Sequence, residues 1–449
     1  MAKKILFLFM LLLSLTGMLK AQVTTAGMSG KVMADEESVI GATVVAVHEP
    51  SGTSYGTVTN VDGRFSLQGM RSGGPYKVTV SYIGYQTAIY TGIQLQLGET
   101  YSLNVTLHEA SELLGEITIT ASKSKFSAEK TGATTNISSE QLTTLPSINR
   151  SISDFTRISP YASGNSFGGR DGRSNTFTVD GANLNNNFGL SSGLPGGGNP
   201  ISLDAIDEVQ VVIAPYDVRQ ANFIGAGINA ITKSGTNAYR GSAYMYFNNE
   251  VMRGNKIGDT DFGVRAEESK TVYGATFGGP IIKDKLFFFA NVEYEKSPQQ
   301  VITWRAAKEG ETPNNSTISR TTEADLAEFS QILKDKYGYN TGSFTDFPAD
   351  VTNLKLLGRI DWNINQGNKL SVRYNFTNNK TWEAPNGSSG NTGYRLAYNR
   401  VSAYSMSYAN SCYSLQNIVN SATAELNSRF SSNISNQLLF TYSDMKDER

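Results

Sequence analysis

Lys285 to Lys296 reads KLFFFANVEYEK. In an extended chain Leu286, Phe288, Ala290, Val292 and Tyr294 fall on one face, and Asn291, Glu293 and Glu295 on the other. The alternation returns twice downstream. Leu354, Leu356, Ile360, Trp362 and Ile364 alternate with Lys355, Arg359, Asp361, Asn363 and Asn365. Leu370, Val372, Tyr374 and Phe376 alternate with Ser371, Arg373, Asn375 and Thr377. Side chains on a strand point to opposite faces with period two, so each stretch predicts a strand of about ten residues. One face is apolar; the other is polar and often charged. A soluble sandwich uses shorter strands and evenly short turns. Long strands with opposed faces predict a transmembrane β-barrel, lipid outside and a watery lumen inside.

The connections agree. Strands are expected at 239–249, 271–280, 285–296, 353–364, 368–378, 416–430 and 434–444. Ile281–Asp284, Asn365–Gly367 and Ser431–Asn433 are tight joins, while 250–270, 297–352 and 379–415 are long and polar. Outer-membrane barrels have short periplasmic turns and long external loops. Residues 399–408 belong to the third long loop, because a strand there would break the up-and-down alternation. About seven strands is an odd count, and such barrels close with an even number from eight upward. An open wall leaves backbone groups bare in hydrocarbon. The chain therefore reads as the N-terminal part of a longer protein, a C-terminally truncated fragment.

The 449 residues allow about three domains. Charge is balanced, 39 Lys and Arg against 40 Asp and Glu, which argues against a nucleic-acid partner. Met1–Ala21 reads as a secretory signal, with Lys3 and Lys4, an apolar Ile5–Leu15, and Ala21 before Gln22. No other run is long enough for a transmembrane helix, so insertion is by strands. Cys412 is the only cysteine, and His48 and His108 the only histidines. Disulfide frameworks, metal centres and a Ser-His-Asp triad are poorly supported. No cofactor is indicated. Asp259 and Asp261 read as solvated loop residues rather than a catalytic pair, and the chain is not expected to be an enzyme.

Residues 22–110 predict a small β-sandwich, with short strands between turns such as Asn60–Gly63 and Ser72-Gly73-Gly74-Pro75. GKV (30–32), IGATVVA (40–46), GTVTNVDGRFSLQ (56–68) and VTVSYIGYQ (78–86) resemble the carboxypeptidase regulatory-like domain. That resemblance implies a prealbumin-like, non-enzymatic sandwich, sometimes grouped with carbohydrate-binding folds. Asp62 reads as a ligand for calcium or sugar, or as part of the Asp62-Gly63 hairpin turn its chemistry favours. Residues 111–135 form a linker. Within it Glu116, Ile117, Thr118, Ile119, Thr120 and Ala121 are either the last strand of the sandwich or, by resemblance, a TonB box. The latter is an extended peptide that adds a strand to the periplasmic protein TonB.

Residues 136–235 resemble the α+β plug domain of TonB-dependent receptors in three pieces: 137–146, 168–186 and 203–237. Arg170, Asp171, Arg173, Asp180 and Asn183 are candidates for contact with a ligand or with the barrel wall, and the wall is the expected partner for the first three. Gly168–Arg173 lacks the ending of a phosphate loop. Gly189–Gly198 reads as a flexible loop. Residues 236–449 form the partial barrel. Together the chain is similar to Oar-like TonB-dependent receptors. The resemblance implies a wall of roughly 22 strands, usually ending on an aromatic residue, which Arg449 does not match. It implies the outer membrane with its lipid, a periplasmic N-terminal domain, TonB as partner, and energised uptake of a large ligand such as an oligosaccharide, peptide or chelate. The alternative on the same fold is an adhesion, matrix or secretion-support protein with a carbohydrate-binding N-terminal domain. A helix is expected from Thr322, with Leu326, Phe329, Ile332 and Leu333 on one face. That face either packs the loop or binds a surface lipoprotein.

Overall fold

The computed structural model describes residues 23–34, 36–109, 117–120, 133–147, 150–185, most of 194–261, 268–298, most of 301–385 and 401–449. The expected secretory signal, Glu116, Ala121 and most of 189–198 lie outside them.

The N-terminal sandwich has two sheets. The first holds β1 (Ala26–Ala34), β2 (Glu37–Ser38) and β5 (Arg64–Met70), with β8 (Thr100–Ser102) and β9 (Val105–Leu107) running parallel to β1. The second runs β10-β7-β6-β3-β4. These are Ile117–Thr120, Ala88–Leu95, Gly73–Ser81, Thr43–His48 and Thr53–Val58. Alternate residues Val44, Ala46, Leu67, Tyr76, Val78, Val80 and Ile93 meet between the sheets and are fully buried. Each of the valine, leucine and isoleucine side chains contributes about 1.5–3 kcal/mol by leaving water. The Ser72–Pro75 turn expectation is corrected: Gly73 already pairs with Leu95 and opens β6. A Cβ on Gly74 would sit 2.6 Å from the Ile93 carbonyl oxygen, so glycine lets the strand begin this close to its neighbour. Asp62 lies in a hairpin turn. The Asn60 Oδ1 accepts from the Asp62 and Arg64 amides, and Gly63 follows at φ +70°.

A five-stranded mixed sheet follows, in the order β11-β14-β15-β12-β13. These are Ala133–Ser138, Ile206–Ala214, Gly227–Thr232, Thr176–Val179 and Ala182–Asn183. Helices α1 (Ser139–Thr144) and α2 (Ile152–Thr156) each start at a capping box, Ser138 with Gln141 and Ser151 with Asp154. From the end of β15, residues 233–239 lead into the wall.

The wall is one antiparallel seven-stranded sheet. It runs β16 (Arg240–Asn249), β17 (Ser269–Ile282), β18 (Leu286–Lys296), β19 (Thr352–Asn363), β20 (Asn368–Glu383), β21 (Tyr413–Arg429) and β22 (Ser435–Glu448). Burial along it is inverted relative to a soluble protein. Ile360 is 47 % exposed and Val372 44 %, whereas Asp361 is 1 % exposed and Lys355 1 %. Apolar side chains outward and charges inward is the arrangement of a strand facing lipid. The mixed sheet occupies the inner side of the wall. Phe289, Leu357 and Val419 point inward into one core with Phe177, Val209, Val211 and Ile228 of the mixed sheet. The inner face is thus filled by a plug. Several strands also run further towards the long loops than expected, β20 reaching Glu383 and β22 Glu448. The polar Asn378, Asn379 and Lys380 still ladder with Ile418, Asn417 and Gln416.

Residues 401–408 hold no spanning strand and fold against the second long loop through Arg320 N–H to the Ala403 carbonyl. Helix α3 (Glu323–Tyr337) starts at Thr322 with Asp325 completing the capping box. Of its apolar stripe Leu326 is buried, while Phe329 and Ile332 stay exposed.

Candidate functional site

The chemistry concentrates where plug, wall and sandwich meet. Asp180 follows β12 in a left-handed conformation, φ 49°, and is almost wholly buried. Its carboxylate accepts from the Thr232 amide at 3.0 Å and the Thr232 hydroxyl at 2.7 Å. Two wall guanidiniums flank it, Arg373 at 3.5 Å and Arg359 at 3.9 Å. Arg359 forks onto Asp361 of its own strand at 2.8 and 3.0 Å, and Arg373 reaches Glu425 on β21 at 2.9 Å. Both outer ends continue into the sandwich. Arg71 lies 3.6 Å from Asp361, and the Thr24 hydroxyl donates to Glu425 at 2.8 Å. Arg71, Asp361, Arg359, Asp180, Arg373 and Glu425 thus form one line of alternating sign, three cations and three anions, crossing all three bodies. Buried charges persist only when matched this way, and removing one member strands its partners.

A second cluster fixes the other flank of the plug. Arg150 binds Asp204 of the plug at 2.5 Å and Glu293 of the wall at 3.5 Å. Its guanidinium lies over the Tyr246 ring, 3.8 Å from the centroid. Burial opposes the Arg150 charge, but the Asp204 hydrogen bond and the nearby carboxylates outweigh it and hold the pKa above its ordinary value. Glu293 is also bound by Lys355 at 2.9 Å, the Tyr244 hydroxyl at 2.9 Å and the Ser202 hydroxyl at 2.8 Å. Further along, the Pro200 carbonyl accepts from Asn375 and Thr377 of β20.

The sandwich docks on the short-turn end of the wall. The Asn237 amide donates to the Pro50 carbonyl at 2.8 Å, and the Asn363 side chain to the Thr53 hydroxyl at 3.0 Å. Lys369 lies 4.2 Å from the centre of the Tyr55 ring. On the plug, one residue of the sandwich is gripped from both sides. The Leu97 amide donates to both Glu208 oxygens at 3.0 and 3.1 Å, and its carbonyl accepts from Gln210 at 2.5 Å and Asn136 at 3.2 Å. The Leu97 side chain is buried with Val23 and Ile231. Burial pushes the Glu208 carboxyl up to about 8, with the Leu97 amide opposing and Asp207 adding to the rise. Elsewhere between the three bodies a polar cleft of about 1790 Å³ remains, bordered by Arg71, Arg240, Asp207 and Lys369.

Sequence reasoning named Asp180 but not its partners, which lie some 180 residues along the chain and belong to another element. Arg173 pairs with Asp171 at 2.9 Å, both half exposed; among the described residues neither reaches the wall. The 3-10 turn Gly172–Ser174, capped by Asp171, brings the two charges together. Arg170 is exposed in the preceding turn. The Asn183 side chain accepts from the Asn185 amide at 2.8 Å, shaping its own loop. Ile117–Thr120 pair in parallel with Ala88–Thr91 as the last strand of the second sandwich sheet. Arg150, Glu208 and Gln210 carried no local signal.

Residues 27–108 match the family described as the carboxypeptidase regulatory-like domain, and 231–448 the outer membrane beta barrel domain. The chain is 25 % identical over 344 residues to the TonB-dependent transporter Oar of Myxococcus xanthus, covering 72 % of this chain and 30 % of that protein. It therefore spans less than a third of that relative's length. Among solved structures it is similar to the siderophore receptor PirA from Acinetobacter baumannii, at 16 % identity, with 70 % of this chain and 40 % of that one covered and a TM-score of 0.45. The ferric enterobactin receptor PfeA from Pseudomonas aeruginosa is similar at 13 % identity, 71 % and 42 % coverage and a TM-score of 0.45. With a lipid-facing wall, a sheet seated inside it and a regulatory-like sandwich ahead of both, this chain carries a carboxypeptidase regulatory-like domain and an outer membrane beta barrel domain and is similar to a TonB-dependent transporter.

Proposed function

We propose that the protein takes up a large ligand across the outer membrane with energy delivered by TonB. The observation that carries this reading is the plug held in the wall by buried, matched charges, Asp180 between Arg359 and Arg373 above all. Such a plug is seated by several matched charges at once, and a charge left buried without its partner costs about 3–5 kcal/mol. The outer membrane has no ATP, so the force must come from elsewhere. In this reading 22–110 is a periplasmic sandwich, 111–135 the linker, 136–235 the plug and 236–449 the wall. Glu116–Ala121 is the coupling segment, which TonB engages by strand addition. Removing Glu116–Ala121 is expected to abolish uptake and spare surface binding; undiminished uptake would sink the reading.

The second reading is surface adhesion or secretion support. The exposed Phe329 and Ile332 of α3, together with Tyr337 and Tyr404, favour it as a face on the long-loop side. A protonophore separates the two: energised uptake stops, and adhesion continues.

A further inference from the structure

The described part of the coupling segment is paired. Ile117–Thr120 bond to β7 along one edge, in the register Ile117 to Ala88 through Thr120 to Thr91. They end the strand order of their sheet, so among the described residues no strand covers their other edge. An open edge is a template for one more strand, and using it breaks no existing ladder. Displacing β10 from β7 would first cost its four-residue pairing. The strand that holds β10 also leads straight to the plug: β7 ends at Leu95, and two residues on, Leu97 is gripped by Glu208, Gln210 and Asn136. Glu208 and Gln210 belong to β14, a central strand of the plug sheet. Against the wall the sandwich has Arg71 beside Asp361, Thr24 on Glu425 and a few polar contacts at the short-turn end, with an open cleft beside them.

We propose that the sandwich is the handle of the plug: the partner's strand adds to the free edge of β10, and the pull passes through β7 and Leu97 into plug strand β14 as the sandwich parts from the wall. This rests on the reading of 116–121 as the coupling segment. It differs from simple capture of a loose peptide in two respects. β10 stays on β7 while the partner is bound, and the sandwich moves relative to the wall.

Two cysteine pairs test it in the receptor with Cys412→Ser. Thr91→Cys with Thr120→Cys ties β10 to β7 at directly opposed positions. Binding of the purified periplasmic domain of TonB is expected to change less than twofold between oxidised and reduced protein. Binding lost on oxidation and restored by reductant would overturn the proposal. Pro50→Cys with Asn237→Cys joins the sandwich to the segment that leads into the wall and is tied to it at Asp284, where the two main chains touch at 2.8 Å. Its yield in cells treated with a protonophore is expected to exceed that in energised cells several-fold. Equal yields, or no bridge in either state, would overturn it. If the unmodified receptor does not bind the TonB domain, and loss of Glu116–Ala121 leaves uptake unchanged, the coupling reading itself fails. That outcome is distinct from failure of either cysteine pair.

Discussion

Asp180 has two separable jobs. Its charge answers Arg359 and Arg373, and its left-handed backbone turns the chain after β12. Asparagine tolerates that conformation better than alanine does. Asp180→Ala is therefore expected to cost about 3–5 kcal/mol, and Asp180→Asn less, in denaturant unfolding of the plug in detergent-solubilised receptor. Equal losses would mean that neither the left-handed backbone nor an acceptor kept for Thr232 contributes. Glu208 gives a pH signature. Its folded pKa of about 8 lies above the usual carboxylate range, so the folded state holds the proton more tightly than the unfolded one. Its contribution is fully present below the ordinary carboxylate pKa and is lost as pH rises through about 8. Stability should fall between pH 5 and pH 9, and Glu208→Gln should flatten that fall. Little of this was legible beforehand. Arg359 and Arg373 stood out as the polar face of their strands, but nothing local says which plug carboxylate meets them. Leu97 looked like any apolar residue, because what singles it out is its main chain.

At the scale of elements, the wall was the most readable part, because period two with one apolar face survives in each strand by itself. The prediction that follows concerns that face. Ile360→Arg is expected to cost about 2–4 kcal/mol if it lies near the bilayer midplane, read as loss of folding into phospholipid vesicles. Arg359, its neighbour, already sits harmlessly on the inner face. A neutral outcome would mean that Ile360 does not face lipid. Helix α3 was equally plain from Thr322 and Asp325, since a capping box is local chemistry. Strand β7 was missed: Gly92 interrupts its alternation, and its pairing with β6 shifts register twice. The place of Ile117–Thr120 on β7 was open for a related reason. A parallel pairing between distant segments leaves no mark on either one.

For the molecule as a whole, the sandwich, plug and wall share one set of bonds, so each should steady the others. Removing 23–110 is expected to leave the wall in the outer membrane but to speed hydrogen exchange along Ile206–Ala214, the strand that holds Leu97. Unchanged exchange would mean the sandwich lends the plug nothing. The junction between plug and wall has its own consequence. Strand β15 ends at Thr232 and the first wall strand begins at Arg240. The intervening 233–239 can stretch to roughly 25 Å at most. The plug is therefore on a short leash at that end, whatever is done to the other. It can tilt, or unravel from the β11 side, but its last strand cannot travel farther from the wall than that tether allows. On the uptake reading, a plug so leashed would open a path past itself without leaving and stay close enough to reseat, so that each opening could be undone and the protein used again.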